Sequence, residues 1–158
     1  MRLNYVVLPA LAAALGLLGG CASTGAGRSA VKLTLQSRSG SSVTGQVTLR
    51  QQTAGVRLQA TVRGLQAGSE HGFHIHEKGD CSAADASSAG GHFNPGGAAH
   101  GKHDAAVHHA GDLPSLKADA HGVARIDVSL GGMVLGEGAS SITGRSLVVH
   151  GKADDFAT

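Results

Sequence analysis

A chain of 158 residues, less an export signal, is one domain's worth with a single core, which excludes a second domain as a starting point. Charged residues are 15% of the chain and the formal net charge is +2, leaving no extended basic surface for nucleic acid. Aromatics are only 3%, glycines number 25 and histidines ten, so many imidazoles that metal is the first expectation and surface histidines the plain alternative.

Arg2 followed by the apolar run Val6 to Leu18 has the n- and h-regions of a signal peptide, assigned to residues 1–20. The run is too short for a membrane span. Leu18-Gly19-Gly20-Cys21 reads as a lipobox, at which bacteria cleave before a cysteine and lipidate its thiol; the alternative is an ordinary secretory signal with an incidental cysteine. Either reading exports the chain. The first predicts a periplasmic protein that touches a membrane only through the lipid on Cys21. Residues 21–30 are Ser/Gly/Ala-rich without periodicity and form the lipidated N-terminus and a flexible tether. The folded domain is expected over residues 31–158.

Period two then takes over. Val31, Leu33 and Leu35 alternate with Lys32, Thr34 and Gln36, and Val43 to Leu49 and Val56 to Val62 repeat the habit. Val123 to Val128 and Ser146 to His150 follow it too, each bounded by turn residues. No stretch has convincing helical periodicity, so short strands with Gly-rich turns predict an all-β antiparallel sandwich or barrel.

Cys81 to Leu113 breaks the pattern: more than thirty residues with almost no aliphatic core positions. A loop this long is functional or disordered, and bound metal is one way to order it. His74 and His76, two apart on a predicted strand, project from one face and can share an ion, although two exposed strand histidines give the same pattern. The loop adds His92, His100, His109 and Asp112, a set suited to tetrahedral zinc, and the last strand ends on His150. A histidine group on strands and a loop group holding the one carboxylate suggest two different metals. Imidazoles suit copper and zinc alike, so spacing alone does not choose between them.

Gly72-Phe73-His74-Ile75-His76-Glu77, Gly79-Asp80-Cys81, Ser88-Ala89-Gly90-Gly91-His92-Phe93-Asn94-Pro95, His100-Gly101, His109-Ala110-Gly111-Asp112-Leu113-Pro114 and Val149-His150-Gly151-Lys152-Ala153-Asp154-Asp155 together resemble the copper/zinc superoxide dismutase family. The blocks are collinear from Val31 to Phe156. The resemblance implies a Greek-key β-sandwich, or flattened barrel of immunoglobulin-like type, carrying a long metal-binding loop. It implies copper on His74, His76, His92 and His150, zinc on His92, His100, His109 and Asp112, and His92 shared between them. Asp154 would accept hydrogen bonds from one ligand of each metal. His71 is expected to be structural, and His103, His108 and His121 solvated. The implied reaction dismutes superoxide to dioxygen and hydrogen peroxide at a redox-cycling copper, with zinc structural and no organic cofactor.

Family members normally continue past this point through an arginine beside the copper, a second cysteine and a final strand, and the sequence stops at Thr158. Cys81 resembles the loop half of the family's disulfide, whose other half belongs to that further stretch, so Cys81 is expected as a thiol. The final strand is expected to be absent. An alternative function follows: a non-catalytic or impaired periplasmic copper/zinc-binding protein. The family includes homodimers and monomers, and both remain open here.

Overall fold

Apolar residues at every second position bury one face of a strand, and three consecutive segments build on that rule. β1 (Val31–Leu35), β2 (Thr44–Gln52) and β3 (Gly55–Arg63) pair antiparallel in sequence order. Leu33 stands opposite Val47, Leu49 opposite Leu58, and Val47 opposite Ala60, so the alternating apolar residues share one buried face. The computed structural model describes residues 30–157; the expected export signal, Cys21 and nearly all of the tether lie outside them.

After β3 the chain crosses to a second layer through β4 (Glu70–His71) and β5 (Phe73–His76), and passes the long loop to β6 (Leu116–Lys117). It returns beside β3 as β7 (Ala124–Gly131), giving a four-stranded sheet ordered β1-β2-β3-β7. β8 (Ser146–Val149) pairs antiparallel with β5, and β4 with β6. The non-consecutive neighbours β3 and β7 mark the crossover of a Greek-key β-sandwich, and there is no α-helix among the described residues. The fold expected from strand periodicity is therefore the one observed. The core fills the space between the layers with Leu33, Leu35, Val47, Leu49, Leu58, Phe73, Ile75, Leu116 and Leu147 among others.

β5 positions the histidines. Phe73 and Ile75 point into the core at 0% and 2% exposure, each worth roughly 2–3 kcal/mol of burial, which turns His74 and His76 to the opposite face. One edge of β5 carries β8; the other carries the loop. Ile75 N–H donates to Gly111 O (2.9 Å), Phe93 N–H to Ile75 O (2.8 Å) and Glu77 N–H to Gly91 O (2.9 Å). Between these ties the loop contains only a three-residue 3₁₀ turn, Ser87–Ala89. Gly111 is required by close approach: a Cβ there would lie 2.3 Å from Ile75 O and 2.9 Å from Phe93 N. Cys81, 2% exposed, is buried at the start of the loop.

Candidate metal centre

Four of the candidate ligands, His74, His76, His92 and Asp112, adjoin a buried apolar anchor. Phe73 and Ile75 flank His74, Phe93 follows His92, and Leu113 follows Asp112, with Phe93 and Leu113 both 2% exposed. Burial of the neighbour fixes where the polar side chain points. In this way β5, the loop and the end of β8 bring distant residues together.

Two groups of four donors result, the atoms of each within 4.8 Å of one another: His74, His76, His92 and His150; and His74, His92, His100 and Asp112. Hydrogen bonds set the tautomers in the first group. His76 Nδ1–H donates to Gly90 O (2.8 Å), leaving the Nε2 lone pair facing His150 Nε2 at 3.3 Å. His74 Nε2–H donates to Asp154 Oδ2 (2.6 Å), and its Nδ1 is buried with no hydrogen-bond partner. An unpartnered buried nitrogen costs stability unless something else meets its lone pair.

The second group centres on Asp112, 1% exposed. His92 Nδ1 lies 3.0 Å from Asp112 Oδ1, His100 Nδ1 3.0 Å from Oδ2, and His109 Nδ1 3.3 Å from Oδ1 and 3.4 Å from His92 Nδ1. His109, expected among the zinc ligands, thus faces the same carboxylate, whereas the tighter foursome includes His74 in its place. His74 comes so near because its backbone is bridged to that of Asp112. Donors held tetrahedrally at 2.0–2.1 Å from zinc stand roughly 3.3 Å apart, the spacing about which these distances scatter.

Asp154 links the groups, its Oδ1 accepting from His100 Nε2 (2.8 Å) while Oδ2 accepts from His74. With Nε2–H so committed, a neutral His100 would turn a lone pair on Nδ1 toward the Asp112 carboxylate. A cation between them, or a second proton, relieves that clash. The residues therefore fit two metal ions. Asp154→Asn, which keeps only one acceptor oxygen, is expected to weaken metal binding to both groups by about 10- to 100-fold, measured by titration against a competing chelator.

Burial, then the charge of His92, lowers His74 to about 4, and burial, then His76, lowers His150 to about 4. His76 is lowered by burial as well. Burial alone would raise both carboxyls, but the hydrogen bonds from His100, Phe156 N–H and His74 hold Asp154 at about 2, and those from His92, His109 N–H and Gly101 N–H hold Asp112 well below the usual carboxylate range. For His100 burial is again the largest influence, downward, yet Asp154 and Asp112 together carry it upward. The sign for the metal-free protein follows by linkage: groups kept neutral in the fold give stability above the ordinary histidine value of 6.5 that is lost as pH falls toward 4. Asp154 and Asp112 extend the loss below 3.8. His100 acts oppositely, its contribution complete below 6.5 and lost as pH rises through its higher folded value. Three lowered histidines outweigh one raised, so the urea midpoint of the metal-free protein should fall steadily between pH 7 and pH 4, and a constant midpoint would contradict neutral burial.

His71 is fixed between Ser69 Oγ (2.7 Å) and the His150 carbonyl (2.8 Å), a structural position. His103 and His108, expected to be solvated, are half-buried instead, with Nδ1–H groups donating to Asp112 O (2.9 Å) and His109 O (2.6 Å). Loop carbonyls turned inward need donors, and these rings supply them. His121 is exposed in a turn. Sequence reasoning also passed over Arg145 and Lys152. The Arg145 guanidinium stacks 3.7 Å from the Phe93 ring centroid and donates to Ser141 O (2.6 Å) and Glu77 O (2.8 Å), clamping the residue after His92. Among the described residues Lys152 is the one Lys or Arg lining a recess of about 190 Å³ that opens on His74, His92 and His150 and is lined also by Asp154 and Asp155. Its place two residues after His150 is the signal that could have found it.

Comparison with known proteins agrees with this geometry. The family described as "Copper/zinc superoxide dismutase (SODC)" matches residues 43–158. A copper/zinc superoxide dismutase of Paramecium bursaria Chlorella virus 1 is 38% identical over 72% of this chain and 60% of its own length. One from Schizosaccharomyces pombe is 42% identical over 75% of this chain and 77% of its own. The match thus spans less than two thirds of the viral relative. Among solved structures, a superoxide dismutase-like protein from Bacillus subtilis superposes with a TM-score of 0.68 at 33% identity, covering 79% of this chain and 85% of that one.

Proposed function

This chain belongs to the copper/zinc superoxide dismutase family, and on that footing we propose that it dismutes superoxide to dioxygen and hydrogen peroxide. The observation that carries the reading is that two imidazoles, His74 and His92, stand in both donor groups, and of these His92 turns Nδ1 to Asp112 (3.0 Å) whereas His74 turns Nε2 to Asp154 (2.6 Å). His74 Nδ1, His76 Nε2, His150 Nε2 and His92 Nε2 would hold copper; the Nδ1 atoms of His92, His100 and His109 with the Asp112 carboxylate would hold zinc. Bound copper supplies one-electron exchange, which no side chain here offers.

The chain's own residues do the rest. Conversion of two superoxide anions consumes two protons, and His92 is the group placed to deliver one. With Nδ1 engaged on the Asp112 side, His92 keeps its orientation, and its Nε2, whenever it does not hold the ion, is the atom that would take a proton from solvent and pass it to the reduced oxygen. His74 and His150 line the recess by which a small anion would reach the cluster. Lys152 at its rim attracts the anion. Lys152→Glu should lower the second-order rate several-fold at low salt, and the gap should close as ionic strength shortens the screening length to about 8 Å. A salt-independent difference would assign Lys152 some other role.

Export and lipidation at Cys21, with action outside the cytoplasmic membrane, complete the proposal; residues 1–21 support them, and a charged radical crosses apolar bilayers poorly. A second reading, metal binding without turnover, is favoured by the likeness to a protein described only as superoxide dismutase-like. Superoxide consumption by the copper- and zinc-loaded protein, beside zinc-only and metal-free samples, decides between them. Turnover confined to the copper-containing sample supports the enzyme. Stoichiometric copper without turnover leaves the binding protein.

A further inference from the structure

Phe156 has a left-handed backbone, φ 56°, a conformation that crowds a bulky side chain and is kept only where the surroundings demand it. The demand comes from Asp154. Phe156 N–H donates to Asp154 Oδ1 (3.0 Å), the same oxygen that accepts from His100 Nε2 (2.8 Å). Its ring then lies nearly parallel to the His100 imidazole, 23° between planes and 6.4 Å between centroids, and the Lys102 ammonium stands 5.2 Å from its centre. Beyond the ring is an open recess of about 560 Å³, lined by Lys102, His103, Pro114, Asp154 and Phe156 among others. On the inner side, the side chains of His100 and Asp154 are only 5% and 7% exposed.

The geometry points to Phe156 as a positioning residue: we propose that its ring shuts His100, which unlike Asp154 does not line this recess, off from it and thereby sets how slowly zinc leaves the Asp112 group. The inference rests on the reading of His100 as a zinc ligand. Water must reach His100 before its ring can turn away from a bound ion, and a hydrogen bond shielded from water keeps the ring turned inward. The backbone tie holds Asp154 and the ring lies on the His100 side, so both parts of one residue act on the same bond. Lys102 adds a cation–π contact to the ring.

The test uses the full chain loaded with zinc and measures zinc loss to an excess of a coloured chelator. Phe156→Ala should release zinc about tenfold faster or more, with Phe156→Leu, which restores an apolar cover, close to the parent. The His100 Nε2–H, followed by nitrogen-15 NMR, should exchange with water faster in Phe156→Ala alone. Copper loss from the His76 and His150 side should change far less. Unchanged zinc release and unchanged exchange in Phe156→Ala overturn the proposal; so does equal acceleration in Phe156→Leu, or an equal fall in the unfolding midpoint of both metal-free variants, which marks general loosening. His100→Ala is the control for the ligand reading. Parent-like zinc retention in that variant refutes the ligand assignment itself, a failure distinct from a silent Phe156→Ala.

Discussion

Replacing His92 by alanine is expected to lower superoxide consumption about 10²- to 10⁴-fold, the range attributed to a positioned proton donor. The loss should exceed what metal depletion explains. His92 stands with His74 in both donor groups, its Nδ1 is fixed 3.0 Å from Asp112, and Phe93 next to it is buried and capped by Arg145. The loop backbone should therefore stay in place when the ring is removed, because Phe93 N–H still bonds to Ile75 O. Measuring copper and zinc content alongside turnover separates the two effects. A variant that keeps full turnover per bound copper would show that protons reach the substrate by another path.

The second large effect should come from Asp112→Ala, and on stability rather than rate alone. Asp112 accepts from Gly101 N–H (3.1 Å) and His109 N–H (2.8 Å) while facing the Nδ1 atoms of His92 and His100 at 3.0 Å. Deleting it leaves two backbone donors and several imidazoles around an apolar hole, a loss of about 3 to 5 kcal/mol for an opened buried polar cluster. In a domain of this size that lowers the midpoint of thermal unfolding by roughly 10 °C, and zinc binding should vanish with it. Asp112→Asn, which retains an acceptor but no charge, should recover part of the stability and little of the zinc. A midpoint in Asp112→Ala matching the parent would mean that the loop is ordered by its ties to β5 and not by this carboxylate.

Strands with alternating apolar residues were legible in the sequence because burial of one face writes itself as period two: β1, β2, β3 and β7 lie where Val, Leu and Ile alternate with polar residues, whereas β8 is a short apolar run buried on both faces. β4 and β6, two residues each, are too short to carry any period. The fastening of the loop was illegible for a different reason. Ile75, Gly91, Phe93 and Gly111 join through main-chain groups, which every residue possesses, so side-chain identity announces none of it except the glycine that close approach requires. The candidate ligands could be picked out because imidazoles and a carboxylate are chemically conspicuous. What fixes them was hidden: the Gly90 carbonyl behind His76, the Arg145 stack on Phe93, and the inward carbonyls that claim His103 and His108.

The pairing of β5 with β8 sets Phe73 against Val149 and His76 against Ser146, residues some seventy or more apart in the chain. Contacts of such separation form late, since the intervening segment must be closed before they return anything. His150 joins His76 only when that closure is made, so a chain still being synthesised lacks the fourth donor of the first group. The ion of that group must accordingly be available where folding ends, whatever the supply where translation begins.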